Sequence, residues 1–408
     1  MKKSLFALAA LSAFAGAAQA QSSVTLYGTI DVALTYINNA GLATGASGTT
    51  STSTPTATGN ALAMTDYGIF SNVWGLKGEE DLGGGLKAIF NLEGDINALN
   101  GSVYKNTTTG IDQIFRRSAN VGLAGTWGEV RLGQQGNPLV AASANLVPVE
   151  GNSVNLIRSA AGYSMGDYMS NAISYQSPNL NGLRVKAAYS ASQQVDDATG
   201  GSAFAANAFY NLGGLMLTAG YNQQNAMNNL TGSALSSSNL PTTDISSTAW
   251  IQNSSKPGDL KGYVLGARYK VSPTFEVGYG FGHADYNSGT SLPAASAAKT
   301  YNSVTHIVGL GYNASPALLL GLNYAVTNSD SSLYNAQARY SLSKRTMLYA
   351  QVGVAKNGAG SYAGSTTAYG NFQPVQVNTS QNPTAVTGYA ALPNTTQTSV
   401  GLGVVHNF

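Results

Sequence analysis

The sequence predicts an all-β fold, a sixteen-stranded antiparallel transmembrane β-barrel with short turns at one end and long loops at the other. Three observations carry that expectation. About sixteen stretches place apolar residues at every second position, the periodicity of a strand with unlike faces. The connections between them alternate between tight turns and longer polar loops, as in barrels that cross an outer membrane. Strand charges collect on the face opposite the apolar one, which keeps them out of lipid.

Composition agrees. The chain has 48 Gly, 23 Tyr, no Cys and only 9% charged residues, usage that favours strands and loops over helices. Without cysteine, an exported chain has no disulfide to brace it and depends on sheet closure or a large core. The mean hydropathy of −0.04 fits a membrane barrel as well as a water-soluble protein, because only alternate strand residues meet lipid. Once Lys2 and Lys3 are removed, basic and acidic residues balance, and no nucleic-acid footprint is visible.

The first element is a signal peptide over residues 1–20. Lys2 and Lys3 precede an apolar run from Leu5 to about Ala15, followed by the small-residue site Ala18-Gln19-Ala20. That run is shorter than the roughly 20 residues a membrane helix needs. Cleavage after Ala20 makes Gln21 the first residue of a single barrel domain over 21–408.

The first strand is SVTLYGTIDVALTYIN. Val24, Leu26, Ile30, Val32, Leu34 and Tyr36 share one face, and Thr25, Tyr27, Thr29, Asp31 and Thr35 the other. Seven tight turns follow along the chain, at 79–85, 125–128, 177–182, 211–214, 271–274, 313–317 and 342–345. Each carries the Gly, Pro, Asn or Ser of a hairpin connection. Between them lie eight longer or more polar connections near 38–66, 97–113, 135–170, 192–203, 225–261, 287–300, 329–332 and 357–393. Fifteen connections join sixteen strands.

Assigning the apolar face to lipid sends Lys77, Lys87, Arg116, Arg131, Arg184, Lys186, Arg268, Lys270 and Arg339 inward, with Asp31, Glu79, Glu93, Asp95, Glu129 and Glu276. Arg117 falls on the nominal lipid face, at a bulge, a rim or an interface. Aromatics such as Trp74, Trp127, Tyr163, Tyr263, Tyr312, Tyr324 and Phe408 fall near strand ends or on the lipid face, the placement of interfacial girdles. Gly278, Gly280 and Gly282 suggest a lumen wall without bulky side chains. Tyr27, Tyr349 and Asp31 read as scattered inward polar groups. The last strand alternates Val400, Leu402, Val404, His406 and Phe408 on one face.

Gly162-Tyr163-Ser164-Met165-Gly166 matches the form of a nucleophile elbow. That elbow joins a strand to a helix and needs a positioned His and acid, whereas this one sits in a Gly/Ser/Asn-rich stretch. None of His283, His306 and His406 belongs to a partner motif, no metal-ligand spacing appears, and no cofactor is expected. His306, among Val304, Val308, Leu310 and Tyr312, reads as a girdle or interface histidine.

In QSSVTLYGTIDVAL, WGLKGEEDLGGGLKAIFNLE (74–93), FRRSANVGL (115–123), GEVRLGQQ (128–135), NAISYQSPNLNGLRVKAAY (171–189), YSLSKRTMLYAQ (340–351) and the terminal SVGLGVVHNF, the chain resembles the general porins of β-proteobacteria. The resemblance implies a homotrimer in the outer membrane, in contact with its lipid and lipopolysaccharide. It implies a non-enzymatic, water-filled channel for passive diffusion of ions and small hydrophilic solutes. It also implies that Phe408 signals the barrel-assembly machinery, and that the third loop, 135–170, folds into the lumen. The implied constriction sets Glu150, Arg158 and Asp167 of that loop opposite Lys87, Arg116, Arg117 and Arg131 of the wall. The family usually has Arg where Gln134 stands, and Gly-Arg-Gln where FRRS stands. Strand parity therefore points Arg116 inward, while the resemblance selects Arg117. A substrate-specific channel and an adhesive surface barrel are the alternative functions.

Overall fold

The computed structural model describes residues 23–42, 57–66, 68–105, 112–149, 167–192, 201–225, 259–287, 300–328, 330–356 and 395–408. The expected signal peptide with Ala20 and Gln21, the candidates Glu150 and Arg158, Tyr163 and the elbow-like motif at 162–166 lie outside the described residues.

The strands are, in chain order, β1 (Ser23–Leu42), β2 (Ala57–Asp66), β3 (Val73–Gly83), β4 (Leu86–Asp95), β5 (Tyr104–Lys105), β6 (Asp112–Gln113), β7 (Ser118–Gly125), β8 (Gly128–Gly136), β9 (Tyr168–Gln176) and β10 (Leu183–Ser190). They continue with β11 (Ala203–Leu212), β12 (Leu215–Gln224), β13 (Asp259–Lys270), β14 (Phe275–Asn287), β15 (Thr300–Asn313), β16 (Leu318–Thr327), β17 (Ser332–Ser341), β18 (Thr346–Lys356) and β19 (Thr396–Asn407). One short helix, α1 (Pro138–Ser143), follows β8.

Each wall strand pairs antiparallel with the next, and β1 closes the ring against β19 from Thr29↔Asn407 to Asn38↔Thr398. The chain ends complete the seam. Gly28 N donates to Phe408 O at 3.2 Å, and Phe408 N donates to Gly28 O at 3.1 Å. Among the described residues every wall strand but β2, which pairs with β1 alone, is paired along both edges, the condition that a hydrocarbon surrounding imposes.

β2 and β3 share one position in the wall. β2 pairs with the upper part of β1, Val32↔Asp66 to Leu42↔Ala57, and β3 with the lower part, Ser23↔Glu79 to Thr29↔Val73. The barrel therefore has sixteen strand positions, one of them interrupted, with β5 and β6 forming a separate two-residue ladder. All seven expected turns join neighbouring wall strands, as between Leu212 and Leu215. The first long connection is shorter than its predicted 38–66, because β1 runs on to Leu42 and β2 begins at Ala57. The small, weakly alternating residues there hid the strands.

The exposure pattern is inverted relative to a water-soluble sheet. On β17, Leu333, Asn335, Gln337 and Arg339 point inward and are buried, whereas Tyr334 and Tyr340 are exposed. Outward apolar side chains on every side are the exposed ones, with Val24 at 65%, Leu62 at 68% and Leu402 at 63%. Such a continuous apolar exterior is stable against lipid and not against water. Val400, Leu402, Val404 and Phe408 lie on it together.

The apolar core lies inside the ring. After β8 the chain turns inward, where Asn137 caps α1 by accepting from Leu139 N at 3.0 Å. Leu139, Ala142, Leu146, Val147 and Val149 are fully buried. Burying a Val or Leu side chain contributes roughly 1.5–3 kcal/mol. They lie along inward glycines of successive strands. A Cβ on Gly220 of β12 would lie 2.7 Å from Ala142 Cβ, on Gly280 of β14 2.8 Å from Leu146 Cβ, and on Gly309 of β15 2.6 Å from Val147 Cβ. Wall amides pin the backbone, with Asn207 Nδ2 donating to Pro138 O at 2.8 Å and Asn323 Nδ2 to Val149 O at 2.7 Å. Gly278 and Gly280 thus provide more than a smooth wall: they are part of the seat of an inserted loop.

Candidate functional site

The inserted segment 137–149 lies against β11 to β16, which leaves the arc from β17 through β8 as the opposite side of the lumen. Its charged groups come from alternate strand positions and from one turn. Glu93 and Asp95 sit two residues apart on β4 and share its inward face. Residues 114–117 turn into the barrel before β7 starts at Ser118, with Arg117 N donating to Glu93 O at 3.0 Å.

Both arginines meet these carboxylates. Arg116 Nη2 lies 2.7 Å from Asp95 Oδ2, while Arg117 Nε lies 2.6 Å from Glu93 Oε1 and its Nη1 3.2 Å from Asp95 Oδ1. Arg117 Nη1 also donates to Tyr168 Oη at 2.6 Å, and the Arg116 guanidinium lies 5.3 Å from the centre of that ring. Tyr27 Oη donates to Glu93 Oε2 at 2.7 Å. Gln134, where the family usually has Arg, donates from Nε2 to Arg116 O at 2.7 Å.

The choice between Arg116 and Arg117 therefore dissolves. Arg117 is not on the lipid face, because parity applies within a strand and the strand begins one residue later. Nor are Tyr27, Asp31 and Tyr349 scattered: Tyr27 belongs to the arginine cluster, and Tyr349 Oη donates to Asp31 Oδ1 at 2.6 Å.

The cluster adjoins the root of the inserted loop. Asn137 N donates to Asp167 O at 2.9 Å, so Asp167 precedes the Tyr168 that Arg117 holds. Arg131 stands apart. It pairs with Gly122, five residues along β7 from Arg117 and so roughly 17 Å away at strand rise. There Glu129 takes its Nε at 3.0 Å and its Nη2 at 3.2 Å, and Asn120 Oδ1 its Nη1 at 3.0 Å. Lys87 lies at the far end of β4, beside the turn after β3, in an exposed 2.8 Å pair with Glu79. The structure thus brings Arg116, Arg117 and Asp167 together and leaves Arg131 and Lys87 progressively nearer the short-turn end.

Most wall charges are compensated, Arg268 by Glu276 at 2.8 Å among them. Lys77, Arg184 and Lys186 make no ion pair among the described residues. Lys77 Nζ lies instead 5.0 Å from the centre of the Tyr27 ring, and Lys186 is two strands from Glu129 at the same level, both opposite Gln176. Pairing lowers the field that each charge projects into the lumen, so cations outside ion pairs, Lys77 on β3 and Arg184 and Lys186 on β10, weigh most in it.

Known proteins share this architecture. The chain is 29% identical to an outer membrane porin protein of Bordetella pertussis over 91% of its own length and 98% of that protein's. It is 37% identical to outer membrane porin protein 32 of Delftia acidovorans over 46% of its length, a match that spans 49% of that protein. The fold superposes on the anion-selective porin from Comamonas acidovorans with a TM-score of 0.66 and 22% identity, covering 95% of this chain and 100% of that one. The Gram-negative porin family matches residues 7–360. The chain belongs to that family, the channel-forming porins of the bacterial outer membrane.

Proposed function

We propose that the chain forms a water-filled diffusion channel for ions and small hydrophilic solutes, working as a homotrimer with a modest preference for anions. One observation carries the preference: Lys77, Arg184 and Lys186 face the lumen and make no ion pair among the described residues, whereas the wall's arginine–carboxylate pairs neutralise one another. Uncompensated charge of one sign in a low-dielectric passage raises the local concentration of the opposite ion. The structurally similar Comamonas porin is described as anion-selective, which supports the same sign here.

In this reading Arg116, Arg117 and Arg131 form the wall side of the constriction, Glu150, Arg158 and Asp167 its loop side, and Lys87 a charge at the short-turn mouth. The arginine–carboxylate cluster, being internally neutral, orients the constriction more than it attracts ions. Phe408 serves as the signal for the assembly machinery, residues 1–20 as the export signal, and lipopolysaccharide and lipid cover the apolar exterior.

Reversal potential in a salt gradient across a planar bilayer tests the preference. An anion-selective sign that weakens at high salt, where screening shortens the reach of these charges, supports it. A cation-selective sign contradicts it. Cross-linking of the detergent-extracted protein to a ladder ending at three subunits supports the trimer, and a ladder ending at one contradicts it.

A further inference from the structure

The break between β2 and β3 is built into the lumen. Residues 68–72 leave the wall and fold over the inner faces of β1, β19 and β18, three adjacent strands. Asp31, inward on β1 and 0% exposed, anchors them. Its Oδ2 accepts from Ile69 N and Phe70 N, both at 2.7 Å, and its Oδ1 accepts from Tyr349 Oη. Asn72 Oδ1 in turn accepts from Asp31 N.

Packing reinforces the polar anchor. Ile69 packs on the buried cluster of Ala33, Tyr349 and Val405. The Tyr349 ring is held between Gly68 and Gly403, where any Cβ would strike it. Beyond that clasp the Phe70 ring stands exposed, and the Arg339 guanidinium, reaching inward from β17, lies 5.4 Å from its centre. At the other end of the segment, Asn72 O accepts from Ile96 N at 3.2 Å, one residue past the Asp95 of the arginine cluster.

A wall strand satisfies its backbone by continuing its ladder. Interrupting one and replacing the ladder with a buried carboxylate is costly unless its groups are satisfied, and here the Ile69 and Phe70 amides, the Asp31 carboxylate and the Tyr349 phenol have partners, with Asn72 Nδ2 left without one among the described residues. We propose that residues 68–72 are a second, permanent constriction element on the side of the lumen away from the inserted loop, with the Phe70 side chain, backed by Arg339, setting the size limit for solutes there. The proposal rests on the channel reading and assigns Phe70 as a size-determining residue of it.

The test is single-channel conductance and exclusion of neutral polyethylene glycols of increasing size, in wild type, Phe70→Ala and Phe70→Trp. Phe70→Ala is expected to raise unitary conductance and admit larger polymer, and Phe70→Trp to do the reverse. The salt-gradient reversal potential should be unchanged, because no charge is altered. Folded, heat-modifiable variants with wild-type conductance and exclusion limit overturn the proposal.

Phe70→Cys supplies an independent readout, since the chain has no other cysteine. A bulky water-soluble thiol reagent is expected to reduce the current of open channels stepwise, and full current after confirmed labelling overturns the proposal. Wild-type protein that never conducts defeats the channel reading itself. Conducting wild type with an inert Phe70 defeats only this assignment.

Discussion

Two inward carboxylates on β4, Glu93 and Asp95, organise both arginines of the turn before β7. The Arg116–Asp95 pair is the more buried, with both side chains under a tenth exposed. Removing one partner of such a pair leaves an unmatched charge and typically costs about 3–5 kcal/mol. Asp95→Asn should therefore lower the temperature at which the folded band disappears on semi-native gels. Arg131→Glu, farther toward the short-turn end and in a more exposed pair, should lower that temperature less and move the reversal potential toward cations. An unmoved potential in a folded variant would remove Arg131 from the conduction path. At this scale the sequence was partly legible. Alternation placed Glu93, Asp95 and Arg131 correctly, because each lies inside a strand. It failed for Arg117, which lies one residue outside, and it gave no sign that Asp31 and Tyr349, 318 positions apart, share a hydrogen bond.

The elements obey two different rules. Lipid selects the outer face of every strand, so Leu322→Arg, at an exposed position within β16, should destabilise insertion by roughly 2–4 kcal/mol if it lies near the midplane. Reduced folding yield into lipid vesicles is the readout, and undiminished yield would place that position away from the midplane. The inner face is selected by what lies on it. Gly309→Val puts a branched side chain where Val147 already sits, so the inserted loop must shift while the hydrogen-bonded wall persists. The expected result is a heat-modifiable barrel whose open-channel current is noisier and altered in size. Wild-type current would mean that the loop does not depend on that seat.

Turns and strand count were legible because Gly, Pro, Asn and Ser mark hairpins locally. The inward glycines were visible as residues, but their purpose was not, since it depends on a segment far earlier in the chain. The interruption at 68–72 was equally hidden: Ile69 and Phe70 are apolar enough to pass for strand, and only the distant Asp31 carboxylate draws them inward.

At the scale of the whole molecule, ring closure satisfies the backbone, the apolar exterior meets lipid, and charged and polar groups are left with only the lumen to face. A ring of sixteen strand positions is of the size that encloses an aqueous channel, so conduction follows from the architecture. The most direct test of that claim is single-channel recording of the purified, folded protein in a planar bilayer under symmetric salt. The account predicts stepwise, long-lived openings whose conductance rises with salt concentration. Protein that inserts, remains heat-modifiable and carries no current would contradict it.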